Sequence, residues 1–161
     1  MDSRRAELEI PGGNPSLSGE IALAAGLQHH SAMSPSILLV DDEPSYLAAV
    51  SEFFIHLDYR VVAAQELEEA EALIITSHFS LVIVDLSLTN FNSDEGLRLI
   101  DLIGERSPET KIILLSGRVS PEVRAEALKR GAHAVLNKPQ HLADIGALAE
   151  RLLEVPNEHL A

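Results

Sequence analysis

No cysteine occurs among the 161 residues. That excludes disulfides, thiolate catalysis and cysteine-based zinc sites together. It also suits a reducing compartment, so a cytoplasmic location is expected. Aromatic residues are scarce, at 4%, and any core must therefore be aliphatic. Basic residues are few: 12 Lys and Arg stand against 25 Asp and Glu, a formal charge of −13. Such an acidic surface repels phosphate backbones and anionic bilayers, so nucleic-acid and membrane partners are not expected. No apolar run approaches the roughly 18 residues that a membrane span requires. Ile21 to Leu27 is a short apolar run, but Glu7, Glu9, Glu20, Pro11 and Pro15 around it make a poor signal peptide.

What the chain does contain is 46% hydrophobic residues, enough for one ordinary core. Residues 1–35 differ from the rest, with Pro11, Gly12, Gly13, Pro15, Gly19, Gly26 and Pro35 among several serines. They read as a flexible extension with a short helix around Glu20 to Leu27. Met33, just before the first strand, offers an alternative start. From residue 36 to residue 154 short apolar runs alternate with helical patterns, and residues 155–161 form a tail.

Ile37-Leu38-Leu39-Val40 ends at Asp41-Asp42, and Pro44 opens a helix whose Leu47, Val50, Phe54 and Leu57 share one face. Val61 to Ala64 is a weaker strand, followed by a helix with Leu67, Ala70 and Leu73 or Ile74 inward. Leu81 to Val84 ends at Asp85, and a polar loop leads to a helix with Leu97, Ile100 and Ile103 inward, ended by Gly104, Ser107 and Pro108. Ile112 to Leu115 ends at Ser116-Gly117. Ser120-Pro121 then caps a helix that Gly131 terminates. His133 to Leu136 ends at Asn137-Lys138-Pro139, and Leu142, Ile145, Leu148 and Leu152 line a last helix.

Five near-continuous apolar strands, each followed by a helix, imply an α/β fold: a doubly wound parallel sheet with helices on both faces. Five strands suit the flavodoxin-like order 2-1-3-4-5. A site in such a sheet lies beyond the carboxyl ends of the strands, near the switch in strand order. Those ends carry Asp41, Asp42, Asp85, Ser116 and Lys138. Three carboxylates in one crevice repel one another and stay ionised only around a cation. Oxygen donors with room for water and phosphate suit Mg²⁺ or Mn²⁺. A lysine and a hydroxyl beside them can meet phosphoryl oxygens, and an Asp carboxylate can accept a phosphoryl group covalently.

The set resembles the receiver domain of bacterial response regulators, in its stand-alone, single-domain form. The resemblance rests on Leu38-Leu39-Val40-Asp41-Asp42-Glu43-Pro44, Val84-Asp85, Leu115-Ser116-Gly117 and Asn137-Lys138-Pro139, and covers about residues 36 to 153. It implies that Asp85 is the phosphoacceptor. Asp42 would bind the metal directly and Asp41 mainly through water, with Asp85 and the Ser87 backbone carbonyl as further ligands. Ser116 and Lys138 would contact the phosphoryl group, and the Lys138–Pro139 peptide would be cis. Ser87 and Arg118 are candidates for tuning the lifetime of the acyl phosphate. The implied donor is a histidine kinase or a histidine phosphotransfer protein. Output would be a protein contact through the fourth helix, fifth strand and fifth helix, by a monomer or a phosphorylation-linked dimer. Such a protein is not an enzyme acting on a separate substrate, although it assists its own phosphorylation and dephosphorylation.

Two features depart from the family pattern. The loop after Asp85 holds Leu88 and Thr89 where Met-Pro is frequent, and its Gly comes at Gly96, about three residues late, with Phe91 in between. Val135 occupies the place of the aromatic that rotates in many receivers. Two other readings follow. One is a receiver-like interaction module that is never phosphorylated, to which Val135 lends slight weight. The other is a dehalogenase-type phosphatase, which would want an acid at position 87, where Ser87 stands. Glu43 reads as helix-start charge, and His29-His30 as solvated chain.

Overall fold

A computed structural model describes residues 34–86 and 93–154. The expected helix around Glu20 to Leu27, Ser87, Leu88, Thr89 and Phe91 lie outside the described residues. The elements alternate: β1 (Ser36–Val40), α1 (Pro44–His56), β2 (Arg60–Ala64), α2 (Leu67–Thr76), β3 (Leu81–Val84), α3 (Ser93–Arg106), β4 (Lys111–Ser116), α4 (Pro121–Arg130), β5 (Ala134–Asn137) and α5 (Leu142–Glu154). All pairings are parallel, in the order β2-β1-β3-β4-β5. The expected fold class and strand order are both found.

The continuous apolar runs reflect burial on both faces. Side chains alternate across a strand, so Ile37 and Leu39 enter one core while Leu38 and Val40 enter the other. The first core joins Leu47, Val50 and Phe54 of α1 to Ile145 and Ala149 of α5. The second joins Leu67, Ala70 and Ile74 of α2 to Leu97, Leu99, Ile100 and Ile103 of α3 and Ala127 of α4. Edge strand β2 has only Ala64 fully buried, which is why its pattern is weak.

Four local expectations are corrected. Leu57 does not continue the buried face of α1. The helix ends at His56, Asp58 adopts φ 65°, and Leu57 turns outward. Gly104 does not end α3, which continues to Arg106 with the glycine on its exposed side. Strand β5 starts at Ala134, one residue later than expected, and His133 just before it already bonds β4: its N–H donates to the Ile112 carbonyl at 2.8 Å and its ring accepts the Ile112 N–H at 3.1 Å. On α5, Leu142, Leu148 and Leu152 are only partly buried, and the fully covered positions are Ile145, Gly146 and Ala149. The caps of α4 are as expected: the Ser120 hydroxyl accepts from Val123 N–H at 3.2 Å, and Gly131 takes φ 118°.

Candidate functional site

The chain crosses from β2, on one side of β1, to β3 on the other, which opens a crevice at the carboxyl ends of β1 and β3. Backbone bonds one step beyond the strands set the site. Asp41 N–H donates to the Ala64 carbonyl at 3.1 Å, Asp85 N–H to the Val40 carbonyl at 2.8 Å, and Lys138 N–H to the Ser116 carbonyl at 2.8 Å. The sheet thereby aims three side chains from distant parts of the sequence into one space. The Lys138–Pro139 peptide bond is cis.

One carboxylate oxygen from each of Asp41, Asp42 and Asp85 lies within 4.8 Å of the other two. Asp41 and Asp85 are buried and Asp42 is exposed, so the cluster has a wet side. The Lys138 ammonium donates to Asp41 and, at 3.3 Å, to Asp85. The second Asp41 oxygen accepts the Glu43 N–H at 2.9 Å, which ties the acid to the start of α1. Burial lifts the Asp41 carboxyl above its ordinary pKa, although Lys138 and the Glu43 N–H both favour its charged form. Burial also opposes the charge on Lys138, but the Asp41 and Asp85 carboxylates outweigh it and hold that pKa above the ordinary lysine value. Ser116 is buried at the end of β4, and Arg118 beyond it is exposed.

Of the expected site residues that are described, Asp41, Asp42, Asp85, Ser116, Arg118, Lys138 and Pro139 lie at this rim. Asp41, Asp85 and Lys138 are in mutual contact, with Asp42 beside them. Val135 is buried in β5. Three contacts were not legible in the motifs. Tyr46, in the first turn of α1, lies under Lys138, whose ammonium is 4.2 Å from the ring centroid. An aromatic in the turn that follows an acid pair is a weak signal for this. Arg124 of α4 donates to the Val135 carbonyl at 2.6 Å, linking that helix to the strand at the position where an aromatic was expected. Gly96 lets α3 press on the residue after Asp85: a Cβ there would lie 3.0 Å from the Leu86 Cδ1 and 3.1 Å from its Cα.

Among the described residues no helix is long and apolar enough to cross a membrane.

Comparison with known proteins agrees with this geometry. The family model described as the response regulator receiver domain matches residues 37–150. The nitrogen assimilation regulatory protein NtrX of Azorhizobium caulinodans is 32% identical over 122 residues, covering 76% of this chain and 27% of the relative. Across the curated relatives, the chain spans from 26% to 61% of their length. A CheY-like receiver domain protein from Methanospirillum hungatei superposes with TM-score 0.71 at 26% identity, covering 75% of this chain and 94% of that one. A response regulator from Burkholderia pseudomallei, solved with a phosphorylated aspartic acid and a calcium ion, gives TM-score 0.65 at 28% identity, covering 76% of each. This chain belongs to the response regulator receiver domain family of two-component signalling.

Proposed function

We propose that this receiver is a phosphorylation switch in which Asp85 accepts a phosphoryl group from a histidine kinase or histidine phosphotransfer protein. The observation that carries the reading is the gathering of Asp41, Asp42 and Asp85 with Lys138 on one rim of the sheet. The Burkholderia relative, with its phosphorylated aspartic acid, supports it.

An Asp85 carboxylate oxygen attacks phosphorus. A P–O bond forms as the P–N bond of the donor breaks, and the electron pair stays on the imidazole, which leaves with a proton from solvent. Lys138 offers its ammonium to one phosphoryl oxygen, and the Ser116 hydroxyl donates a hydrogen bond to another. The three carboxylates, mutually repulsive and partly open to water, fit a hard divalent cation such as Mg²⁺ or Mn²⁺. When bound there by Asp41, Asp42 and Asp85, the cation supplies neutralisation of the charge on the transferring oxygens.

Output is a protein contact through α4, β5 and α5, where Leu128 is 46% exposed. Because Val135 cannot act as a rotating aromatic, coupling runs from Ser116 through the following loop into α4. The Arg124 bond to the Val135 carbonyl ties that helix to β5.

Intact mass after incubation with Mg²⁺ and acetyl phosphate, or with a phosphorylated histidine protein, tests the reading. One added phosphoryl group, absent in Asp85→Asn and lost with EDTA, is expected. No gain from either donor would leave a constitutive interaction module, the reading to which Val135 lends slight weight.

A further inference from the structure

Lys138 touches two chemically different kinds of partner. One is the carboxylate pair of Asp41 and Asp85, and the other is the face of Tyr46, 4.2 Å from the ammonium. The ring is half-buried, packed at the margin of the core shared by α1 and α5, and it lines the same small cavity as Asp41 and Asp85. Its place in the first turn of α1, directly after Pro44 and Ser45, fixes its height over the crevice. A cation above an aromatic face is attracted by the ring quadrupole, and more strongly where water is excluded.

The two partners respond differently when a metal ion enters. Asp41 is a donor in the carboxylate cluster and also the acid that holds Lys138. A divalent cation competes for that acid and repels the ammonium. The ring carries no charge for the metal to claim, and it stays in place because α1 holds it.

We infer that Tyr46 is a positioning residue for Lys138: its ring face keeps the ammonium beside Asp85 when a metal ion and its bound water compete for Asp41. The inference deepens the phosphorylation reading and rests on it for its effect on rate. Tyr46 needs its ring but not its hydroxyl, and it acts only through Lys138.

The test uses the full chain, whose three lysines, Lys111, Lys129 and Lys138, make the lysine ε-methylene resonances assignable. The Lys138 ε-methylene signals are expected to be ring-shifted upfield in wild type and in Tyr46→Phe. The shift persists at saturating Mg²⁺ and is absent in Tyr46→Leu. Phosphoryl uptake from acetyl phosphate falls about fivefold in Tyr46→Leu, in line with a partly desolvated cation–π contact, and recovers in Tyr46→Phe. In the Lys138→Ala background, Tyr46→Leu slows the residual uptake no further. Loss of the ring shift on Mg²⁺ loading overturns the inference. So does equal slowing by Tyr46→Leu with and without Lys138, which would mean that the ring acts through packing alone. If wild type takes up no phosphoryl group, the switch reading falls, while the Mg²⁺ titration of the ring shift still decides the role of Tyr46.

Discussion

At the amino-terminal rim of the sheet, three polar side chains are tied to backbone atoms. The buried Thr110 hydroxyl donates to the Phe79 carbonyl at 2.7 Å, Ser36 to the His78 carbonyl at 3.1 Å, and the His133 ring accepts the Ile112 N–H. At the carboxyl rim three carboxylates cluster, and one ammonium bonds two of them, Asp41 and Asp85. In the first arrangement each of these three side chains has a backbone partner fixed by the fold, and the bonds add stability. In the second, like charges repel, and their balance depends on something that can arrive or leave. One sheet thus has a rim that holds it together and a rim poised to react. The physical difference is whether a polar group is satisfied by backbone alone or also depends on neighbouring charges.

The sharpest way to break this contrast is Asp85→Asn. Phosphoryl gain by intact mass is expected to vanish entirely. The melting temperature should hold or rise, since one repelling charge is gone. A large loss of stability would mean that the carboxyl rim is structural after all.

Next comes Lys138→Met, which leaves Asp41 and Asp85 facing each other without their cation. Destabilisation on the order of 2 kcal/mol is expected in denaturant titrations with EDTA, below the range for a fully buried pair because this lysine is partly exposed. Millimolar Mg²⁺ should recover most of it by binding the folded state. A loss that Mg²⁺ does not touch would place the role of Lys138 in packing.

At the opposite rim, Thr110→Val removes one hydroxyl and leaves the Phe79 carbonyl short of a donor. A cost of about 1 kcal/mol is expected, unaffected by Mg²⁺ and without change in the rate of phosphoryl uptake. Any effect on uptake would show that the two rims are coupled.

The smallest effect concerns pH. Burial, with Lys111 adding to it, pushes the His133 imidazole below its ordinary value. Above about pH 6.5 the ring is neutral in both folded and unfolded chains, and its contribution is complete. As pH falls, the unfolded state takes up the proton first, so stability declines through the lowered folded pKa. His133→Asn keeps an acceptor for the Ile112 N–H without a titrating group. A shallower loss of stability between about pH 7 and pH 5 is expected by thermal melts. An unchanged slope would assign the decline to other groups.

Much of this was legible along the chain, and the reasons are local. Apolar runs such as Ile112 to Leu115 mark strands buried on both faces, and Ser120, Pro121 and Gly131 bound a helix by cap and backbone preference. The strand-end positions of Asp41, Asp85, Ser116 and Lys138 follow once those strands are assigned. Leu57 and Gly104 misled for different reasons. A periodic pattern extends past a helix end that only the Asp58 turn fixes, and a glycine on an exposed face does not stop a helix.

The residue types and their strand-end register were thus determined by the sequence, because side-chain periodicity and capping depend on near neighbours. Three contacts between elements were decided only in the tertiary structure: Tyr46 beneath Lys138, Arg124 on the Val135 carbonyl, and Gly96 against Leu86. Each joins residues whose separation in the chain says nothing of their distance. What brings them together is the height at which a helix packs on its sheet, and that height is set by the shape of the whole core.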